Sequence, residues 1–223
     1  MRLRFRGLRG ELVLLLRRGA EAELHLQEMF GKTVILKKRI KKRYRIDVLD
    51  EQIRNYRTVH EALMMHKAKE CGVPTPTIYL IDLAEKTIVM EHIEGQRLKD
   101  IMETADSKDI NELCYEVGRL IGHMHKNDLI HGDLTTSNIL ITKGENIFFI
   151  DFGLSEVSNE IEKKGVDLHL MKRALQSSHY KLFEESYENI LKGYSEVVGE
   201  GLAKEVLSKI EEIEKRGRYI SKR

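Results

Sequence analysis

The sequence predicts a two-lobed α+β protein with a cleft between the lobes. Three observations carry this expectation: short apolar runs at strand spacing crowd the first 92 residues, one long helical stretch interrupts them, and the pattern turns mainly helical from residue 93 onward. At 223 residues there is room for one domain or two small lobes, and 41% hydrophobic with 33% charged residues, 2 prolines and no low-complexity tract describe an ordered chain. The expected division is therefore 1–92 and 93–223, with a hinge near Glu91 to Gly95.

The elements follow in order. "ELVLLLRR", "AELHLQEMF" and "KTVILKKR" are apolar, β-prone runs separated by glycine-bearing turns, which makes them an antiparallel meander. From about Leu49 to Cys71 good helix formers dominate. Leu49, Ile53, Tyr56, Val59 and Leu63 recur three or four apart, and Gly72, Pro74 and Pro76 stop the helix, which is expected to pack on the sheet. "TIYLIDLAEKTIVMEHIEG" supplies two more strands around "AEK", for five in all. Beyond Gly95, "DINELCYEVGRLIGHMHKN" is a strongly amphipathic helix, "NILITKGENIFFIDFG" a hairpin turning at Lys143-Gly144, and the chain from Gly165 onward is helical apart from its breaks.

Composition excludes several classes. Cys71 and Cys114 lie far apart without metal-ligand spacing, which suits two reduced thiols. No apolar run reaches the roughly 18 residues that a membrane helix needs, and "MRLRFRGLRG" lacks a signal-peptide core, so a cytoplasmic protein without membrane contact is expected. The net charge of +2 argues against indiscriminate nucleic-acid binding, but "KKRIKKRYR" (37–45) and "KRGRYISKR" (215–223) are locally basic. His123 and His125, two apart on a helix, point in different directions and do not suggest a metal site.

The chemistry concentrates in "IHGDLTTSNIL". Asp133 and Asn138 sit five positions apart on a loop between a helix and a hairpin, and thirteen residues after Asn138 the strand "IFFI" delivers Asp151 of "DFG". Such a set suits phosphoryl transfer, because magnesium takes oxygen ligands and must neutralise the charge of nucleotide phosphates. Each fragment alone is an ordinary turn cap or strand end; their order is what signifies. Upstream, Lys37 ends the third strand where a phosphate-binding lysine belongs, and Glu61 on the long helix can reach it, with Glu51 and Glu70 as alternatives. Lys38 competes with Lys37, but strand alternation points it to the opposite face. "RRGAEAEL" forms the turn that would cover the phosphates, with Gly19 as its only glycine.

Taken together, "GAEA", "VILKKRIKKRYR", "RTVHEA", "MEHIEG", "IHGDLTTSNIL", "IDFGLS", "KGVDL" and the near-terminal "RGR" resemble the small atypical kinases of the KEOPS complex (PRPK-type in animals), within the protein-kinase superfamily. The resemblance spans nearly the whole chain. It implies a protein-kinase-like fold that uses ATP and magnesium, with a small antiparallel-sheet lobe, one long helix, a mainly helical lobe and a minimal activation segment. It further implies Gly19, Ala20 and Glu21 over the nucleotide, Lys37 on its phosphates, Glu61 as ion-pair partner of Lys37, Met90, Glu91 and His92 along adenine, Asp133 as catalytic aspartate, and Asn138 with Asp151 as magnesium ligands. The implied partners are the tRNA threonylcarbamoyltransferase subunit and other KEOPS subunits. By their charge, the basic tail with Arg216 and Arg218, where Tyr219 is placed to stack on a base, and the segment 37–45 are the natural tRNA contacts, with docking of a protein partner or framing of ATP as the alternatives for 37–45. One departure is visible: Ile46 and Asp47 follow Arg45 where the family has histidine and proline.

Two features shape the expected activity. Gly132 stands where many protein kinases carry the arginine that receives a phosphorylated activation loop, which removes that counter-charge. Sixteen positions separate Asp151 from Asp167 and no A-P-E sequence occurs, so the platform for a peptide is short. The expectation is an ATPase and atypical serine/threonine kinase supporting threonylcarbamoylation of tRNA adenosine. A RIO-like or small-molecule kinase and a noncatalytic tRNA-recruiting scaffold are the competing possibilities.

Overall fold

Alternating side chains give the first part of the chain its strands. The computed structural model describes residues 4–6, 12–29, 31–104 and 107–220. The strands β1 (Arg4–Arg6), β2 (Leu12–Arg18), β3 (Ala22–Met29) and β4 (Lys32–Arg39) are followed by helix α1 (Asp47–Glu70) and strands β5 (Ile78–Asp82) and β6 (Thr87–Glu91). They form an antiparallel sheet in the order β1-β2-β3-β4-β6-β5, one strand more than the five expected, because the short β1 has too few residues to show a period. In β4 the alternation buries Lys37 and Arg39 on one face while Lys38 between them points the other way and is exposed.

Helix α1 has Asp47 and Asp50 in its first turn and Lys67 and Lys69 in its last, each opposing the helix dipole. It ends at Gly72, whose φ of 79° lets Val73 N–H reach back to the Ala68 carbonyl at 2.9 Å. The apolar row counted in the sequence does not face inward: Leu49, Tyr56, Val59 and Leu63 are exposed. The buried residues are Asp50, Thr58, Glu61, Ala62, Met64, Met65 and Ala68, and the polar ones among them are bonded: Asp50 to Arg54 at 2.6 Å, Thr58 to the Arg54 carbonyl at 2.7 Å and Glu61 to β4.

The chain divides into two units, Met1–Met65 with Pro76–Glu94, and His66–Thr75 with Gly95–Arg223. The second contains β7 (Gly95–Arg97), α2 (Leu98–Ile101), α3 (Ser107–Lys126), β8 (Leu129–Ile130), a 3-10 turn (Thr136–Asn138), β9 (Ile139–Thr142), β10 (Ile147–Phe149), β11 (Glu156–Val157), α4 (Ile161–Ser178), α5 (Phe183–Val198) and α6 (Glu200–Ile220). The hairpin β9–β10 gains β7 as a third strand, and β11 pairs with β8.

The core of this unit forms around α3, whose Ile110, Cys114, Val117, Ile121 and Met124 are all fully buried. At about 1.5–3 kcal/mol for each large side chain, that stripe is a principal source of stability. Glycines let α3 and α5 meet at backbone distance: a Cβ on Gly118 would collide with the Ile190 carbonyl, and one on Gly193 with the Tyr115 carbonyl.

Candidate active site

Within the first unit, strand alternation places Lys37 and Glu61 together. Lys37 Nζ lies 2.5 Å from Glu61 Oε1, with the lysine side chain 11% and the glutamate 1% exposed. Lys38 points away and pairs at the surface with Glu85 at 2.6 Å. The turn of Gly19, Ala20 and Glu21 is exposed; Gly19 N–H bonds the Ala22 carbonyl at 2.9 Å, and Lys42 Nζ donates to the Ala20 carbonyl. Arg57 pairs with Glu21 at 2.7 Å, which fastens the turn to α1. Met90 is buried in β6, and Glu91 is double-tied to Thr77, its N–H donating to the Thr77 carbonyl at 2.8 Å and its Oε2 accepting Thr77 N–H at 3.0 Å. His92 follows the strand and is half-buried.

Within the second unit, the loop after β8 is organised around Asp133. Asn138 Nδ2 donates both to Asp133 Oδ2 at 2.8 Å and to the Asp133 carbonyl at 2.9 Å, so both amide hydrogens are engaged and Oδ1 remains as the acceptor. Ile150 N–H bonds the Asn138 carbonyl at 3.0 Å, and Asp151 follows at once, held at φ 66°. A residue with a side chain rarely adopts that conformation, although aspartate tolerates it better than most. His131 is fully buried, 4.7 Å from the Phe152 ring and 6.2 Å from Phe149. Burial pushes its imidazole below the usual histidine range, against the opposing pull of Asp167, Asp133 and Asp151.

The match to known proteins is extensive. The family model described as protein kinase domain covers residues 25–181. Over 211 residues the chain is 48% identical to the KEOPS complex subunit Bud32 of Pyrococcus abyssi, covering 92% of this chain and 96% of that one. The chain belongs to the Bud32 family of protein kinases. It is also 40% identical to a probable serine/threonine-protein kinase BUD32 homolog of Archaeoglobus fulgidus, over 92% of this chain and 95% of that protein. A probable bifunctional tRNA threonylcarbamoyladenosine biosynthesis protein of Methanothermobacter thermautotrophicus shares 42% identity, and there the chain spans only 36% of the relative's length. Among solved structures, the Rio2 kinase complex with ADP, Mg2+ and phosphoaspartate from Chaetomium thermophilum aligns with a TM-score of 0.62 at 18% identity, over 90% of this chain and 70% of that one, a likeness of fold.

For this Bud32-family chain the glycine before Asp133 has a steric reason as well as an electrostatic one. Gly132 has φ 78°, and a Cβ there would collide with the carbonyl oxygen of Leu154. No side chain fits, arginine included.

Several residues of this Bud32-family site carry no obvious signal in the sequence. Asp167, in α4, accepts the N–H of His131 at 2.6 Å and of Gly132 at 2.8 Å, and its Oδ2 lies 3.3 Å from His125 Nε2. His125 in turn meets Tyr194 Oη at 3.2 Å through Nδ1. "KGVDL" was conspicuous as a motif, but a carboxylate that bonds main-chain groups leaves no spacing to read. Arg39, two residues after Lys37, reaches Glu61 Oε2 at 2.5 Å; the Lys-x-Arg spacing on a strand could have shown it.

The basic segment 37–45 is largely used internally. Lys37 and Arg39 meet Glu61, Lys42 lies 4.0 Å from Glu21, Lys41 2.8 Å from Asp47, and Arg45 3.8 Å from Asp50. Arg216 pairs with Glu162 at 2.8 Å and with Glu212 at 3.5 Å. The side chains of Arg218 and Tyr219, and residues 221–223, lie outside the described residues. Among the described residues no helix is long and apolar enough to cross a membrane.

Proposed function

We propose that this kinase is an ATP-dependent, magnesium-requiring enzyme that hydrolyses ATP and phosphorylates serine or threonine, and that it works in the cytoplasm in a KEOPS-type assembly supporting threonylcarbamoyladenosine formation in tRNA. Family membership and the names of the relatives at 48% and 42% identity support the biological setting. The observation that carries the chemistry is the bond from Asn138 Nδ2 to Asp133 Oδ2, which orients the carboxylate and leaves the side-chain oxygen Asn138 Oδ1 for a cation.

The donor set suits magnesium. A carboxylate on Asp151 and an amide carbonyl on Asn138 are hard oxygen ligands, and Asp151 is kept in an unfavourable backbone conformation that fixes where its carboxylate begins. Magnesium bound there supplies charge neutralisation on the phosphate oxygens. Lys37 binds ATP phosphate oxygens, its Nζ steadied by Glu61. The turn of Gly19, Ala20 and Glu21 covers the phosphates, and the main chain of Met90 to His92 meets adenine. Asp133 accepts the proton of the attacking hydroxyl, whether of water or of a protein side chain.

The partners are the transferase subunit and other KEOPS subunits, a reading supported by the KEOPS subunit at 48% identity and by the tRNA threonylcarbamoyladenosine biosynthesis protein at 42%. Arg216 and Arg218, with the tail beyond, contact the tRNA backbone. Arg216 exchanges its exposed carboxylate partners for phosphate at little cost, because solvent-exposed ion pairs contribute only about 0–1 kcal/mol. The deciding experiment is magnesium-dependent turnover of labelled ATP by wild type and Asp133→Ala, each alone and with the transferase subunit plus tRNA. Partner-stimulated free phosphate that disappears in the variant supports the proposal. Equal turnover in both proteins defeats it, and label mainly in protein makes the ATPase role secondary.

A further inference from the structure

Glu61 has two cationic partners, and only one of them belongs to the phosphate contact just described. Lys37 Nζ meets Oε1 and Arg39 Nη2 meets Oε2, each at 2.5 Å. Standing two apart on β4, the two cations project from one face of the strand. Arg39 is 6% exposed and Glu61 1%, so the group is buried almost entirely. Arg39 Nη2 also donates to the Arg57 carbonyl at 3.2 Å, one turn before Glu61, and Arg39 N–H bonds the Lys86 carbonyl at 3.0 Å.

We propose that Arg39 is a positioning residue for the nucleotide site, holding Glu61 and the middle of α1 so that Lys37 Nζ is aimed before ATP arrives. This rests on Lys37 and Glu61 being the phosphate-binding pair. The physical reason lies in what happens when either partner leaves. If α1 carried Glu61 away, the Arg39 guanidinium would stay buried without an anion, and arginine cannot escape by losing its proton. A lysine alone could; the arginine makes the departure far more costly.

The division of labour on Glu61 matters as well. Two cations on one carboxylate leave the buried group one positive charge in excess. That excess is complementary to a phosphate. With Oε2 already neutralised by Arg39, Lys37 Nζ can share itself between Oε1 and a phosphate oxygen without stranding the glutamate. The connection extends through α1, because Arg57, whose carbonyl Arg39 holds, pairs through its side chain with Glu21 in the turn between β2 and β3. A site built this way is assembled in the free chain and does not wait for a helix to swing in.

The test measures the dissociation constant of Mg·ATP by calorimetry and the amide exchange of residues 57–65 in wild type, Arg39→Met, Arg39→Lys, Glu61→Gln and the double variant Arg39→Met/Glu61→Gln. Arg39→Met is expected to weaken ATP about tenfold and to speed exchange across that turn of α1, and Arg39→Lys to recover part of both. In the Glu61→Gln background, Arg39→Met is expected to add less than about twofold, since a residue acting through Glu61 has nothing left to position. Wild-type ATP affinity in Arg39→Met overturns the proposal, as does an undiminished effect in the Glu61→Gln background. If Arg39→Met does not fold, Arg39→Lys decides: a loss of about threefold in affinity supports the proposal and none overturns it. Lys37→Ala separates the two levels of the argument. ATP binding unchanged in Lys37→Ala and Glu61→Gln would remove the nucleotide-site assignment itself, whereas losses there beside a normal Arg39→Met remove only the role of Arg39.

Discussion

Asp167 Oδ2 accepts the main-chain N–H of His131 at 2.6 Å, and its other oxygen accepts the next N–H along, so one buried carboxylate on α4 sets the backbone in front of Asp133. Replacing it with alanine leaves two buried donors unpaired at about 1–3 kcal/mol each. Asp167→Ala is therefore expected to lower the unfolding free energy by about 3 kcal/mol in urea and to reduce ATP turnover at least tenfold in the protein that remains folded. A variant with wild-type turnover would show that the loop keeps its shape without α4.

Gly132→Ala tests the steric account of the missing arginine. Alanine pays about 1–2 kcal/mol for the left-handed conformation and a further 1–3 for crowding the Leu154 carbonyl, so a loss of about 3 kcal/mol is expected. Gly201→Ala is the control: at that position, at the start of α6, no heavy atom lies within 4 Å of an added Cβ, so a neutral or slightly stabilising effect is expected. Equal urea midpoints for the two variants would contradict the steric account.

Lys37→Ala and Lys38→Ala test the separation of two neighbours that strand alternation sends to opposite faces. Lys38 and Glu85 are 47% and 58% exposed, so Lys38→Ala is expected to stay within about 0.5 kcal/mol of wild type and to keep full turnover. Lys37→Ala is expected to lose on the order of 100-fold in kcat/KM for ATP. The reverse ranking would reassign the phosphate contact.

Acid should weaken the fold in two separate steps. Burial holds the imidazoles of His131, His169 and His179 below their ordinary value of 6.5, so the unfolded chain takes up protons there before the native chain does. The stability they protect is complete above that value and is lost as pH falls through it. Glu51, Glu162 and Glu212, lowered by Lys86, Arg216 and Lys209 respectively, yield only below their ordinary 4.5. Urea midpoints taken from pH 7.5 to 5.0 should fall, and His179→Gln should flatten part of the fall. A level profile down to pH 5 would rule out the histidine contribution.

Legibility in the sequence followed the kind of force at work. "HGDLTTSN" was readable because a loop that presents a carboxylate and a carboxamide has few other uses for that order of residues. Helix α1 was readable as a helix and misleading as a surface: Leu49, Tyr56, Val59 and Leu63 keep period but face outward. The inward face is built on Asp50, Thr58 and Glu61, whose burial depends on Arg54, Lys37 and Arg39, and pairing across elements leaves no period. Asp167 was hidden for a related reason, since its partners are main-chain groups that every residue possesses. At Gly132 the sequence disclosed a lost charge, while only the position of Leu154 disclosed the lack of space.

The chain after Asp151 is fastened closely. Glu156 and Val157 pair with Ile130 and Leu129, Ser158 N–H holds the Asp128 carbonyl at 2.8 Å, and α4 starts at Ile161. A protease needs several residues of unbonded backbone to lie extended in its cleft, and this stretch does not offer them without first breaking the strand pair. Brief digestion of the folded kinase should therefore spare the region that is the most easily nicked in an enzyme with a long, loose segment, and the same backbone ties hold the neighbouring segment that leads into Asp133.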